Sequence, residues 1–381
     1  MPVEAVVLES CLGRILREDI VADTDYPRFD KAIRDGFAVR AKDVVQVPAV
    51  LRISGESRAG QAASVTVVPG TCCEIMTGAQ LPEGADAVVM VEHTEPASES
   101  EVRILRPARE GDGLLRRAAE LRSGESVLSS GRRIQLADIG TLANFGKPQV
   151  LVSRKPRVAI LATGDELVEV GESPEGGQIR NSNSYTLHAQ VVAAGGEPVL
   201  LGIGRDTLED LRMQIGRGLQ HDVLLVSGGV SMGKYDFVEN VFAEYGVDVL
   251  FESVAMKPGK PTVFGHRNDT FVFGLPGNPV STIVAFRMFV TPVLQSLLKS
   301  APSGPQMLRA RLDMAAICDS SRTAIVPALV RFEGESYWIK TAPWKGSSDL
   351  AGLSRANALV VIPQAEGSLQ PGDVVDFLSL E

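Results

Sequence analysis

Cysteine and histidine are scarce in this chain of 381 residues, with four of each. Cys72 and Cys73 are adjacent, Cys11 and Cys318 stand alone, and no C-x-x-C occurs. His93, His188, His221 and His266 show no H-E-x-x-H spacing. These absences argue against a disulfide framework and against a structural zinc site. Cations are also in deficit: 38 Lys and Arg stand against 47 Asp and Glu, for a net charge of −9. Such a chain lacks the excess cations that displace counterions from nucleic acid or hold an anionic membrane surface. No nucleic-acid or membrane partner is therefore expected, although a local anion site needs only a few well-placed donors.

Long apolar runs are missing as well. Glu4, Glu9 and Arg14 interrupt the amino-terminal segment, so no signal-peptide core is expected there. The longest uncharged stretch, Thr270–Phe286, has 17 residues and is broken by Pro276, Gly277, Asn278 and Pro279. That is shorter than the roughly 20 residues of a membrane span. The expectation is a soluble, cytoplasmic protein.

What is present is an ordinary globular balance, 44% apolar and 22% charged. At roughly 150 residues per domain the length predicts two or three domains, more if some are small. The first twenty residues place Val7, Leu8, Leu12, Ile15 and Leu16 at near-helical spacing, which predicts a short amphipathic helix. From Tyr26 to Arg106, short β-branched runs (Ala49–Ile53, Ser64–Val68, Ala87–Val91, Val102–Leu105) alternate with Gly- and Pro-bearing turns, the pattern of a small β unit. Helical spacing returns at Ile134–Phe145, before a strand at Gln149–Ser153.

From Arg157 onward, apolar strands alternate with amphipathic helices. Strands are predicted at Arg157–Thr163, Pro198–Ile203, Asp222–Ser227 and Thr270–Gly274, with helices at Ser184–Ala194, Thr207–Leu219, Phe237–Tyr245 and Val280–Leu298. This is the signature of a doubly wound, mostly parallel sheet, whose ligands sit outside the carboxyl ends of the strands. After Pro302 the chain returns to short β runs, a second small β unit.

Polar turns follow those strand ends. Ser227-Gly228-Gly229-Val230-Ser231-Met232-Gly233 joins a strand to a helix, and its backbone amides suit either a phosphate or an ordinary tight turn. Asp236, just beyond, is either an N-terminal cap or an oxygen ligand for Mg²⁺. Thr163-Gly164-Asp165-Glu166 ends the first strand with adjacent carboxylates, costly unless solvated or paired with a cation. Asn181-Ser182-Asn183 lies at the mouth of the same cleft, where helix capping is the competing role. Met256-Lys257-Pro258-Gly259-Lys260-Pro261 offers two ammonium groups on a proline-stiffened segment, either oxyanion-binding or merely solubilising. Gly274-Leu275-Pro276-Gly277-Asn278-Pro279-Val280-Ser281 follows the last strand, a turn suited to cradling a ligand or to a buried structural role. Together these turns suit an anionic, phosphate-bearing ligand with a divalent cation.

Six segments in this order closely resemble the MoeA family of molybdopterin molybdenumtransferases, which includes the C-terminal domain of gephyrin. They are PRFDKAIRDGFAV (Pro27–Val39), IMTGAQLPEGADAVVMVE (Ile75–Glu92), ILATGDELV (Ile160–Val168), VSGGVSMGKYD (Val226–Asp236), MKPGKP (Met256–Pro261) and GLPGNPVS (Gly274–Ser281). Weaker echoes are GSSDLAGLSRAN (Gly346–Asn357) and the closing PGDVVDF.

The resemblance implies an α/β-plus-β, multi-domain, elongated subunit that pairs as a homodimer. Its parts would be a discontinuous domain (1–25 and 120–154), an inserted β domain (26–119), an α/β pterin-binding domain (155–300) and a C-terminal β barrel (301–381). The implied reaction inserts molybdate into adenylylated molybdopterin with release of AMP, assisted by Mg²⁺. By matching position the resemblance implies that Glu166, Asp206, Asp236, Lys257 and Lys260 are catalytic pocket residues, with Asp236 and Glu166 as metal ligands. Asp35 and Thr77 lie in the β insert, which in the family faces the partner subunit's pterin site. Substrate contacts are implied for Gly164, Asp165, Asn181, Ser227, Gly228, Gly229, Ser231, Pro276, Gly277, Asn278, Ser281 and Ser347. The chain departs from the family pattern at Ala32, at Ala118-Ala119-Glu120, at Ser253 and near Pro327. The alternatives are a molybdopterin adenylyltransferase, because related sheets carry the same Ser-Gly-Gly turn, or a noncatalytic pterin-binding or scaffolding paralogue.

Overall fold

The computed structural model describes residues 1–229, 237–301, 304–319 and 321–380. They divide into two compact units. One comprises Met1–Arg17, Gly131–Gln135 and Gln149–Glu381, and the other Glu18–Ser130 and Leu136–Pro148.

The first unit is organised around a six-stranded sheet. Its spatial order is Glu197–Gly204, Arg157–Thr163, Val223–Ser227, Thr270–Leu275, Val263–Arg267, Asp248–Phe251. The first four strands are parallel and the last two are antiparallel additions at one edge. Because side chains alternate across a strand, neighbouring residues feed opposite cores. Val158 and Ile160 pack with Leu187, Val191 and Val284 on one face, while Ala159 and Leu161 pack with Leu211, Ile215 and Phe242 on the other. This two-sided burial explains why these strands read as uninterrupted apolar runs.

The helices begin and end where their residues dictate. Thr207 caps Leu208–Gly218 by accepting from the Asp210 amide, with Glu209 and Asp210 in the first turn and Arg217 in the last. The final helical segment, Pro279–Leu298, contains a π turn at Phe286–Val290 and is followed by Lys299 in the left-handed conformation. Among the described residues it is the one helix long and apolar enough to cross a membrane, but Val280, Val284, Phe286, Val290 and Leu294 are buried in the core of the sheet.

Downstream, Thr323–Glu333, Ser336–Thr341, Leu308–Leu312, Val374–Ser379 and Ala358–Ile362 pair in sequence, and the last returns to the first. The result is a closed five-stranded barrel around Leu312, Ile339, Val360 and Phe377. The short strand Met256–Lys257 runs parallel to Thr323–Ala324 beside it.

The second unit carries a six-stranded sheet in the order Ala87–Met90, Gly36–Val39, Thr71–Ile75, Ala49–Ser57, Glu101–Ile104, Thr94–Ser98. Val39, Leu51, Cys72, Val89, Val102 and Ile104 fill one of its faces. The same unit holds the helix Leu136–Asn144.

Two expectations are overturned. The amino-terminal residues form a strand, Val3–Val7, and a single 3₁₀ turn, Leu8–Ser10, rather than an amphipathic helix. Val3, Val6 and Val7 are β-branched, and pairing with Gln149–Ser153 gives the backbone a partner that an isolated short helix lacks. The run Ser64–Val68 is not a strand. It makes one isolated bridge, Thr66 to Glu83, because its neighbour is the Pro82-bearing turn that ends in Gly84. A Cβ at Gly84 would lie 2.2 Å from the carbonyl oxygen of Val67, so the two segments approach too closely there for anything but glycine.

Candidate functional site

The carboxyl ends of three parallel strands converge on one pocket of about 700 Å³, within the 300–1,000 Å³ range of small-molecule sites. Its wall includes Thr163, Gly164 and Glu166, then Asn181–Asn183, then Ser227–Gly229, then Pro276–Pro279, with Asp206, Pro261, Ser348 and Leu350.

Each segment reaches the wall for a local reason. Gly164 has φ +147, and a Cβ there would fall 2.5 Å from Glu166 Oε2, so the carboxylate folds back over a residue without a side chain. Asp165 and Asp206 are linked reciprocally: the amide of Asp165 donates to Asp206 Oδ2 at 3.4 Å, and the amide of Asp206 donates to Asp165 Oδ1 at 3.3 Å. Gly228 has φ +98, and a Cβ there would lie 2.6 Å from the Thr163 carbonyl oxygen. The tight turn is thus pressed against the end of the neighbouring strand.

Asn183 holds two of the turns together. Its Nδ2 donates to Ser227 Oγ and to the Gly277 carbonyl, both at 2.8 Å. Among the described residues its Oδ1 and the buried Oγ1 of Thr163 have no hydrogen-bond partner. Asn181 is 2% exposed, accepts from the Ser184 amide and donates to Ser184 Oγ, so its side chain serves the start of the Asn183–Ala193 helix. The amide of Gly228 is taken by the Leu275 carbonyl at 3.1 Å, which removes it from any phosphate cradle. Gly277 and Asn278 precede Pro279, the first residue of the last helix, and their amides donate to no described group.

Not every expected residue reaches the pocket. Ser281 is 3% exposed inside the last helix, and Ser347 contributes its carbonyl to the Val280 amide at 2.9 Å; neither lines the wall. Lys257 is exposed and pairs with Asp319 at 3.6 Å, and Lys260 is also exposed. Pro261, not either lysine, is the member of that segment on the wall. Ser231 and Asp236 lie outside the described residues. Asp35 and Thr77 belong to the other unit and meet there: Thr77 donates to Asp35 Oδ1 from its amide at 2.6 Å and its hydroxyl at 2.8 Å. These bonds, the amide's first, hold the Asp35 carboxyl below the usual range.

The sequence reading missed Arg180, the cation among the described wall residues, whose Nε donates to the Glu172 carbonyl at 3.0 Å. It also treated Asn183 only as part of a capping tripeptide. Neither has a local signature, since both owe their position to where the segment before the helix crosses the strand ends.

A doubly wound sheet with a ligand-sized cleft at its switch, followed by a closed small barrel, defines a multi-domain small-molecule-binding protein of the α/β class. Three family profiles match in register: the MoeA N-terminal region (domains I and II) over residues 1–146, a probable molybdopterin binding domain over 159–296, and the MoeA C-terminal region (domain IV) over 309–380. The molybdopterin molybdenumtransferase of Bacillus subtilis is 36% identical over 98% of this chain and 89% of its own length. That of a Nostoc species is 36% identical over 99% and 88%. A crystal structure of the molybdopterin biosynthesis MoeA protein of Pyrococcus horikoshii superposes with a TM-score of 0.84 at 29% identity, covering 99% of this chain and 94% of that one. The chain belongs to the MoeA family, whose work is molybdenum cofactor biosynthesis.

Proposed function

We propose that this protein is a Mg²⁺-assisted molybdopterin molybdenumtransferase that inserts molybdate into adenylylated molybdopterin and releases AMP. The observation that carries the reading is the convergence of Gly164 and Glu166 (not Asp165, which lies off the wall), Asn181–Asn183, Ser227–Gly229 and Pro276–Pro279 on one cleft. Cleaving a phosphoanhydride depends mostly on holding the anion in place and offsetting its charge. The amides of Gly277 and Asn278, at the start of the last helix, present donors to a phosphate. Arg180 adds a positive charge on the same wall. Asn183 fixes the spacing of the two turns the ligand would span.

The carboxylates of Glu166 and Asp206 on the wall fit a hard cation that takes its other ligands from phosphate oxygens and water, as Mg²⁺ does. With Asp236 they would hold it, and when bound it supplies charge neutralisation at the phosphates. Lys257 and Lys260 would meet the oxyanion from the segment that enters the cleft at Pro261. We further propose a four-part chain with the boundaries given above, acting in the cytoplasm as a homodimer. In it the Asp35–Thr77 pair of one copy completes the cleft of the other.

The test uses purified protein, adenylylated molybdopterin, Mg²⁺ and molybdate, with AMP followed by chromatography. Molybdate-dependent AMP release with formation of the metal-loaded cofactor is expected. ATP consumption by free molybdopterin instead, or binding without turnover, overturns the reading.

A further inference from the structure

A second, smaller concavity lies in the first unit, lined by residues the activity above does not use. Its volume is about 150 Å³, and its wall is Leu12, Gly13, Arg14, Ile15, Arg133, Lys155, Val192, Gly195 and Leu298. The cations here are Arg14, Arg133 and Lys155, and among the described residues no carboxylate belongs to the wall. In a chain of net charge −9, three cations sharing one recess need an explanation. Arg14 and Arg133 are half-buried and Lys155 is exposed, and like charges gathered in one recess repel one another.

Internal pairing accounts for only one of them. Arg14 forms an ion pair with Glu4 and donates to the Ser153 carbonyl at 2.7 Å. Arg133 donates to the Gly13 carbonyl at 3.0 Å, and among the described residues neither Arg133 nor Lys155 has a carboxylate within 4 Å.

Two helices end at the recess, and cations are favourable at such ends. Here most of the terminal carbonyls already accept hydrogen bonds. Gln190, Val191 and Val192 accept from Ala194, Gly196 and Gly195, while Leu297 and Leu298 accept from the Met1 ammonium and Ser153 Oγ. Gly195 keeps the space open, since a Cβ there would approach Leu298 Cδ1 at 3.1 Å and Arg133 Nη1 at 4.0 Å.

We infer that this recess is a binding site for a small tetrahedral oxyanion of the phosphate or sulfate kind, separate from the cleft at the strand ends. Its volume admits one such ion with a few waters, a water occupying about 30 Å³ in the liquid, and is far too small for a nucleotide or a pterin. A guanidinium and an ammonium without carboxylate partners supply the charge-assisted donors that such an ion needs.

The test is binding of inorganic phosphate to the full chain by calorimetry at low ionic strength, without pterin, nucleotide or turnover. Its outcome is therefore independent of whether the proposed activity is right. A saturable phosphate site that depends on Lys155, distinct from any phosphate bound at the strand-end cleft, is expected, competed by sulfate and weakened by added chloride. Lys155→Gln should weaken phosphate binding about tenfold or more, and Lys155→Arg should retain it. Arg133→Gln should act in the same direction, with thermal unfolding checked in parallel. If Arg133→Gln does not fold, the Lys155 pair of variants decides alone. Absence of saturable binding to the wild-type chain, or unchanged affinity in Lys155→Gln, overturns the proposal.

Discussion

Asp35 and Thr77 are joined by two hydrogen bonds to one carboxylate oxygen, although they are brought from different strand ends of the same sheet. The residue is exposed, yet the Thr77 amide and hydroxyl favour the ionised carboxyl and lower its pKa. A depressed carboxyl contributes stability above the unfolded-state pKa, near 3.9, and loses it as pH falls through the folded value. In a carbon-detected titration, Asp35 should therefore stay ionised below the usual aspartate range. Thr77→Val should raise its pKa part of the way back, because the amide bond remains. An unshifted Asp35 in the wild type would contradict the pairing.

The Gly228 turn should not tolerate a side chain. Gly228→Ala combines φ +98 with a 2.6 Å approach to the Thr163 carbonyl, and strain of this kind costs about 1–3 kcal/mol. Gly277→Ala is the contrast, because its added Cβ meets only Gly228 Cα, at 3.8 Å. Urea denaturation should show the first variant destabilised and the second close to wild type. The first should also lose AMP release.

Asn183→Ala should uncouple the two turns. It leaves the buried Ser227 Oγ without its 2.8 Å donor and cuts the tie to the exposed Gly277 carbonyl, and an unmet buried polar group costs about 1–3 kcal/mol. The expected result is a modest loss of stability with a much larger loss of ligand binding, measured by denaturation and by AMP-release kinetics. Asn183→Asp keeps the shape but not the donor and should not rescue it.

Cys72 and Cys73 should be chemically silent. Burial pushes the first thiol up to about 12 and the second to about 11, with each one's acidic neighbours adding to the effect. Only the thiolate reacts, so a disulfide-exchange reagent at pH 8 should modify neither until the sheet of the second unit unfolds. Rapid labelling of either in the native state would show that this sheet opens.

Lys257 is exposed and Asp319 half-buried, and their 3.6 Å ion pair is a weak tie, so loss of the Lys257 charge should barely alter stability. If Lys257 offsets oxyanion charge, Asp319→Ala should leave AMP release intact while Lys257→Ala reduces it. Equal loss in both would mean that the pair acts as a structural tie.

Much of the α/β unit is legible locally. The runs Arg157–Thr163 and Val223–Ser227 are apolar on both faces because both faces are covered, and the Gly- and Pro-bearing turns after them mark where the chain reverses. Those patterns depend on residues a few positions apart, so the sequence alone determined the sheet, its switch and the turns that form the cleft. Only the tertiary structure decided which side chains enter it. Asn183 rather than Asn181 bridges the turns, Arg180 stands on the wall where Lys257 and Lys260 do not, and Val3–Val7 becomes a strand because Gln149–Ser153 is there to pair with it. For Asn183 and for Val3–Val7 the deciding partner is distant in sequence, and a hydrogen bond or strand pairing made across that distance leaves no periodicity to read.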